Sequence, residues 1–391
     1  MFTLRLAGGK DARILAGHPW IYRNEIARIE GEAEPGAIAH VLDGRGRFLG
    51  QAMVNLKSQI AGRLLTRTEE AIDGGFFTRR IREAIGRCGR SMDGQNACRL
   101  IFGEADHLPG LIVDRYSDVL VMQILTAGME RVRRTILESL CDTVRPRAVY
   151  ERNDTSPRRL EGLELRKGFV WGVGETGLWI QEGGLSFFVE MAQGQKTGFF
   201  LDQRENRQVV KHLAMGRDVL DCFCYSGGFS VSAALGGATS IMGIDISPEA
   251  IAWAQRSSEK NSVSSRCTFT IGNAFDALRA FVREDRRFGL VILDPPAFTK
   301  GRQALEGALR GYNEINLRAM RLLAPGGILM TCSCSYHVDP PMFLEMLRMA
   351  AADARREFHL REFRTQAADH PILLAARETQ YLKCAILEAL N

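Results

Sequence analysis

The sequence predicts an α/β chain whose C-terminal half is a doubly wound parallel sheet, preceded by a small β-rich domain and a small α+β domain. Three observations carry this. From Lys196 onward, apolar strand-like runs at 218–223, 240–244 and 289–293 alternate with amphipathic helical segments. The first 70 residues are short apolar runs broken by glycine. Between these regions, apolar runs and helical stretches mix without regular alternation. The 391 residues exceed what one core organises, at roughly 150 residues per domain. The expected boundaries are 1–70, 71–190 and 191–391.

Composition narrows the class. With 46% hydrophobic and 25% charged residues the chain can bury sizeable cores. A net charge of +5 suits a polyanionic partner without demanding one. No run approaches the ~20 apolar residues that span a bilayer, and no secretory leader pattern opens the chain, so the cytoplasm is the expected location. Nine cysteines without C-x-x-C spacing argue against a disulfide framework. Four form two C-x-C pairs, Cys222 with Cys224 and Cys332 with Cys334, but structural zinc favours longer spacers, so no metal is expected.

In the first domain, a strand at 38–42, a glycine turn at 43–46 and a strand at 48–54 follow one another. Arg13, Arg23, Arg45, Arg47 and Lys57 sit in polar turns, while Trp20 and Tyr22 follow Gly17-His18-Pro19. These aromatics read as core packing or, more sharply, as a surface for RNA. The middle region carries a helix at 76–87, apolar runs at 111–113 and 119–124, a helix at 129–140 and a strand at 148–150. The arginines of the first helix read as a solvated face.

Chemistry concentrates in the last domain. The run at 218–223 is an apolar strand that leads into Ser226, Gly227 and Gly228 and then a helix. Missing side chains let a ligand approach the backbone, and the helix start offers free N–H groups. About 20 residues on, the next strand ends at Asp245, where a carboxylate can accept both hydroxyls of a ribose, and Pro248 suits the first helical turn. Asn273 and Ala274 then fall where an adenine edge would lie. The dinucleotide signature G-x-G-x-x-G is absent. Together the elements predict S-adenosylmethionine as cofactor, the rival being another nucleotide.

The fourth strand delivers Asp294-Pro295-Pro296-Ala297-Phe298 to the carboxyl edge of the sheet, where ligands of open α/β folds bind. Two prolines fix the backbone and present Asp294 and Phe298 as a holder for a flat base. The next strand, at 328–335, brings Cys334 to the same edge. A thiol there has a task, because carbon 5 of a pyrimidine attacks a methyl sulfonium only after a thiolate has added to carbon 6. Asp294 can hydrogen-bond ring nitrogen 3 or the amine of cytosine and stabilise the adduct.

With these residues in order, the chain resembles the bacterial large-subunit ribosomal RNA cytosine carbon-5 methyltransferases that carry an N-terminal PUA domain. The likeness covers nearly the whole length. Gly17-His18-Pro19-Trp20, Leu108-Pro-Gly-Leu-Ile-Val-Asp114-Arg115-Tyr116, Tyr150-Glu-Arg-Asn and Gly194-Gln-Lys-Thr-Gly-Phe-Phe-Leu-Asp202-Gln203-Arg204 carry its first half. Asp294-Pro-Pro-Ala-Phe, Arg310-Gly-Tyr312-Asn-Glu-Ile-Asn316, Ser333-Cys334-Ser335 and Gln366-Ala-Ala-Asp-His370-Pro371 complete it.

The resemblance implies a Rossmann-like catalytic domain, large-subunit ribosomal RNA as partner and Cys334, rather than Cys332, as nucleophile. The expected cofactor set is Gln203, Asp221, Ser226, Gly227, Gly228, Asp245, Asn273, Ala274 and Asp294. The expected base pocket is Pro295, Phe298, Lys300, Tyr312 and Asn316. Asn273 stands where the family commonly has Asp. The rival activities are methylation of a purine amino group and RNA binding without catalysis, and base rates favour a homodimer.

Overall fold

The structure is a computed structural model that describes residues 2–88, 94–299 and 301–390. It divides into two compact units. One comprises Met1–Gly177, Glu190–Gly198 and Ala368–Thr379; the other comprises Leu178–Val189, Phe199–Ala367 and Gln380–Asn391. No helix among the described residues is long and apolar enough to cross a membrane.

The first unit holds two sheets. In spatial order the six-stranded sheet runs Trp20–Tyr22, Ile60–Thr66, Phe48–Val54, Ala37–Leu42, Phe2–Leu6 and Ile26–Glu30. Leu4, Ile14, Ile21, Val41 and Leu64 form its core. The glycine turn closes as expected: the Asp43 carboxylate accepts the N–H groups of Arg45 and Arg47 at 2.9 and 2.8 Å, and Gly46 takes φ +87°. Trp20 is half-buried and its indole N–H donates to Glu104 at 2.9 Å, so the packing reading holds for it. Tyr22 lies under the Arg13 guanidinium, beside a cavity of about 670 Å³ that Lys10, Arg23 and Lys57 also line.

The five-stranded sheet runs Arg166–Trp171, Ala148–Asn153, Val119–Ile124, Leu111–Tyr116 and Ala97–Phe102. Helices Gly74–Cys88 and Arg133–Val144 contribute Phe77, Ile81, Ile136 and Leu140 to a second core, which also holds Leu100, Val113 and Val149 of this sheet. The single helix expected at 129–140 is two, Ala127–Arg131 and Arg133–Val144, because Val132 leaves helical geometry at φ −106°, ψ 16°. The solvated arginine face is also partly corrected, since Arg79 pairs with Glu70 and Arg87 with the buried Asp106.

Three of the motif segments meet in a buried polar cluster of this unit. Arg99 donates twice to Asp114 at 2.7 Å, and the Thr197 hydroxyl donates to the same carboxylate at 2.5 Å. Tyr116 bonds Thr197 at 2.9 Å. Asp369, from the returning C-terminal segment, accepts the Arg99 backbone N–H and holds His370 Nδ1 at 2.8 Å.

The second unit is built on a seven-stranded sheet in the order Cys267–Ile271, Ser240–Asp245, Asp218–Cys222, Phe288–Leu293, Leu323–Ser333, Lys383–Ala389 and Phe358–Arg364. The first five strands are parallel; Lys383–Ala389 pairs antiparallel to the fifth and Phe358–Arg364 antiparallel to it in turn, so one reversed strand makes the sheet mixed near that edge. The order reverses at Asp218–Cys222, which places a topological switch point at its carboxyl end. The turn at Pro325-Gly326-Gly327 survives as an interruption inside the fifth strand, whose register jumps from Leu323 opposite Phe288 to Ile328 opposite Leu290.

A hairpin of Gly177–Glu182 and Leu185–Glu190 precedes the expected boundary at 190, and Leu178–Val189 groups with this second unit. Its Glu182 takes two bonds, 2.6 and 2.7 Å, from the buried Arg207. Asn261 exchanges hydrogen bonds with both backbone groups of Ser186.

Candidate active site

The loop after Asp218–Cys222 is held in an uncommon conformation. Phe223, Tyr225 and Gly227 all take positive φ, at +64°, +47° and +77°. For the two aromatic residues this costs about 1–2 kcal/mol each, strain that packed surroundings sustain and that marks functional loops. At Gly227 a Cβ would stand 2.9 Å from Ala254, and at Gly243 it would stand 2.6 Å from Phe269, so both glycines are required by close packing. Gly227 caps the helix Gly228–Leu235.

Asp221 lies at the strand end with no exposure. One carboxylate oxygen accepts the Ser230 hydroxyl at 2.6 Å and the other has no protein partner. Burial pushes its pKa up to about 7, with Asp294 adding to the rise and Ser230 opposing it. The buried Ser226 hydroxyl is likewise unpartnered. Orphaned buried polar atoms are rare in native folds and call for a ligand.

Asp245, half-buried, accepts the Tyr225 N–H at 2.9 Å and the Ser247 N–H at 3.0 Å, one on each oxygen. That fixes its orientation and leaves lone pairs for a diol. Pro248 opens the helix Pro248–Lys260 as expected, with Ser247 as cap. Asn273 caps the helix Ala274–Arg283, its amide oxygen on the Phe275 N–H at 2.9 Å. The exposed amide therefore offers its NH2 outward, a donor where the usual Asp would be an acceptor. This set fits S-adenosylmethionine: an acid for its ammonium, a carboxylate for its ribose and a polar cap at its base.

Gln203 is buried and donates to Asp294 at 2.9 Å. Its own oxygen accepts from Asn206 at 2.6 Å, and Asn206 accepts from Arg364 at 2.9 Å. This chain sets which way the Gln203 amide faces and holds the Asp294 carboxylate. The Cys334 thiol, just beyond the strand end and half-buried, lies 3.9 Å from the Pro295 carbonyl oxygen. Asp294-Pro295 and Cys334 thus share one edge, as expected. Cys332 is fully buried, directly opposite Cys384 on the neighbouring strand. The Cys384 thiol and burial both push Cys332 well up, so it stays a neutral thiol.

Phe298 is half-buried, tilted on Tyr312 with ring centroids 4.5 Å apart. Tyr312 and Asn316 have no exposure. Tyr312 bonds Ser335 at 2.9 Å and Asn316 donates to the Tyr312 carbonyl at 2.8 Å. Tyr312 supports Phe298 and the Cys334 segment, and neither residue lines an open surface; the Asn316 amide oxygen is buried without a partner. Lys300 lies outside the described residues.

Two groups were missed by sequence reasoning. Asn206 was hidden in a polar helix. Lys383 is 2% exposed and donates to the carbonyls of Ser335 and Tyr381, both at 2.8 Å. Its signal was a lysine opening the apolar run Cys384-Ala385-Ile386-Leu387, where a charge is out of place.

Comparisons with known proteins give the family and the fold. A family model for S-adenosylmethionine-dependent methyltransferases matches residues 166–373, and one for PUA-like domains matches 4–67. The Ribosomal RNA large subunit methyltransferase I of Erwinia tasmaniensis is 40% identical over 385 residues, 97% of each chain, and that of Yersinia pseudotuberculosis is 39% identical over the same share. Among solved structures, a putative SAM-dependent methyltransferase from Streptococcus mutans superposes with TM-score 0.86 at 18% identity over 99% of this chain and all of its own. A putative methyltransferase complexed with SAH superposes with TM-score 0.87 at 18% identity over the same shares. The chain belongs to the S-adenosylmethionine-dependent methyltransferases, in the family of the ribosomal RNA large subunit methyltransferase I proteins, with a PUA-like domain at its N-terminus.

Proposed function

We propose that this protein methylates carbon 5 of a cytosine in large-subunit ribosomal RNA, with Cys334 as nucleophile. The observation that supports this most is the half-buried Cys334 thiol beside Pro295, at the edge that also carries Asp294 and Phe298. A purine amino group would give Cys334 no task.

S-adenosylmethionine, when bound, supplies an electrophilic methyl group on a sulfonium leaving group. Cys334 adds as thiolate to carbon 6 of the cytosine, forming a C–S bond and moving the ring electrons to carbon 5. Asp294, held by Gln203, accepts a hydrogen bond from the cytosine amine and positions the ring against Phe298. Carbon 5 takes the methyl group. Loss of its proton to a base then returns electrons to the ring, and the C–S bond breaks to release the thiolate. The target is unstacked from its RNA to reach the site.

We read the domains as 1–70 PUA-like, α+β from 71 to about 177, and catalytic from there on, the hairpin Gly177–Glu182 and Leu185–Glu190 going with the catalytic part. In the PUA-like domain Lys10, Arg23 and Lys57, around the cavity beside Tyr22, suit phosphate contacts to structured RNA.

The test incubates purified protein with labelled S-adenosylmethionine and unmodified large-subunit ribosomal RNA, then digests the product to nucleosides. Label in 5-methylcytidine is expected. Label in a methylated purine would replace this reading with amino-group methylation, and cofactor binding without any label transfer to RNA would count against catalysis on it.

A further inference from the structure

We propose that Lys383 is a positioning residue for the reaction: its buried ammonium, fixed against the backbone beside Cys334, holds the nucleophile as a thiolate. The inference rests on the reading of Cys334 as nucleophile.

The geometry starts from the strand pairing. Lys383 opens the strand Lys383–Ala389 directly opposite Ser333, so its side chain rises next to the segment that turns out of the fifth strand. There Nζ donates to the Ser335 carbonyl, one residue beyond Cys334, and to the Tyr381 carbonyl, each at 2.8 Å. Two carbonyls satisfy two of its three donors and none of its charge.

A cation buried to this degree is expensive unless an anion compensates it. Among the described residues no carboxylate forms an ion pair with Lys383; Asp339 acts on it only from a distance. The other groups around it do not serve. Cys332 and Cys384 face each other within the sheet, and Cys332 is pushed well up. Tyr312 is raised by burial and bonds Ser335. Asp294 is engaged by Gln203, and Asp202 accepts the Tyr381 hydroxyl at 2.5 Å. Of the charged groups that act on Lys383, Cys334 comes first and Asp339 second, so we assign the compensating charge to an ionised Cys334. Burial draws Lys383 down to about 8, and the Cys334 charge is the first influence holding it up, so at neutral pH the ammonium persists. A fixed cation beside a thiol lowers the thiol's pKa and raises the fraction that can attack.

The test follows alkylation of the full-length protein by iodoacetamide across pH, with Cys334 modification read by peptide mass spectrometry. In the wild type, Cys334 should titrate below the ~8.5 of a free thiol. In Lys383→Met the midpoint should rise by about one unit, a tenfold slower reaction at pH 7, while Lys383→Arg restores the low midpoint. Cofactor affinity, measured in parallel, should be unchanged in both. A wild-type midpoint at or above 8.5 overturns the proposal even if no variant folds, as does an unshifted midpoint in a Lys383→Met protein that still binds cofactor. Because no RNA is involved, these results are independent of the nucleophile reading. That reading fails separately if Cys334→Ala still forms 5-methylcytidine.

Discussion

Two buried aspartates, one in each unit, sit in motif segments of equal prominence and do opposite things. Asp114 has both oxygens filled, by Arg99 on each and by Thr197 on one. Asp221 has one oxygen on Ser230 and one on nothing, and its pKa rises to about 7. Both have zero exposure, so burial alone does not separate structure from function. Completion does. A satisfied carboxylate holds structure together, and one left unsatisfied at the carboxyl edge of the sheet is a candidate ligand contact.

The sharpest break of this contrast removes the partner of Asp114. Arg99→Ala leaves a buried charge unpaired and should cost about 3–5 kcal/mol in urea unfolding. The folded fraction should bind S-adenosylmethionine with unchanged affinity by calorimetry.

Asp221→Asn should act with the opposite sign on stability. The native pKa lies above the unfolded value near 3.8, so the native state binds the proton more tightly. Wild-type stability therefore falls as pH rises from about 4 to about 7. The Asn variant lacks that penalty and should be the more stable protein at pH 8, by on the order of 2 kcal/mol, with little difference at pH 4. Its cofactor affinity should drop more than tenfold. If Asp221 meets the cofactor's ammonium, wild-type cofactor binding should weaken as pH falls below about 7, where its carboxylate takes up a proton.

Smaller effects refine the second unit. Tyr312→Phe removes one buried hydrogen bond to Ser335 and should cost about 1 kcal/mol, with turnover reduced and cofactor affinity intact, since it supports Cys334 from behind. Asn273→Ala should lose a helix cap, also about 1 kcal/mol at most, whereas Asn273→Asp keeps the cap and restores an acceptor. Thermal unfolding with cofactor titration distinguishes these two.

What could be read from the sequence follows the range of each signal. Strand periodicity, the glycine at 227, the Pro248 helix start and the Asp294-Pro-Pro segment after its strand are local, and the structure has them where the chain pattern put them. The reversed strand Lys383–Ala389 was missed because the direction of pairing is set by tertiary contacts. Tyr312 looked like an open pocket residue because spacing does not reveal which face of a ring is covered. Lys383 showed only as a charge out of place, since its partner Ser335 lies 48 positions away, and Asn206 gave no sign because its tie to Arg364 spans 158 positions. Positive φ at Phe223 and Tyr225 could not be anticipated from residues that normally avoid it.

The central claim is the covalent step at Cys334. RNA carrying 5-fluorocytidine at the target allows thiol addition and methyl transfer but blocks release, because fluorine replaces the proton that must leave. Incubated with S-adenosylmethionine and run on a denaturing gel, it should trap a protein–RNA adduct with the wild type and with Cys332→Ala, and none with Cys334→Ala. An adduct that survives in Cys334→Ala, or none with a wild type that methylates ordinary RNA, would contradict the account.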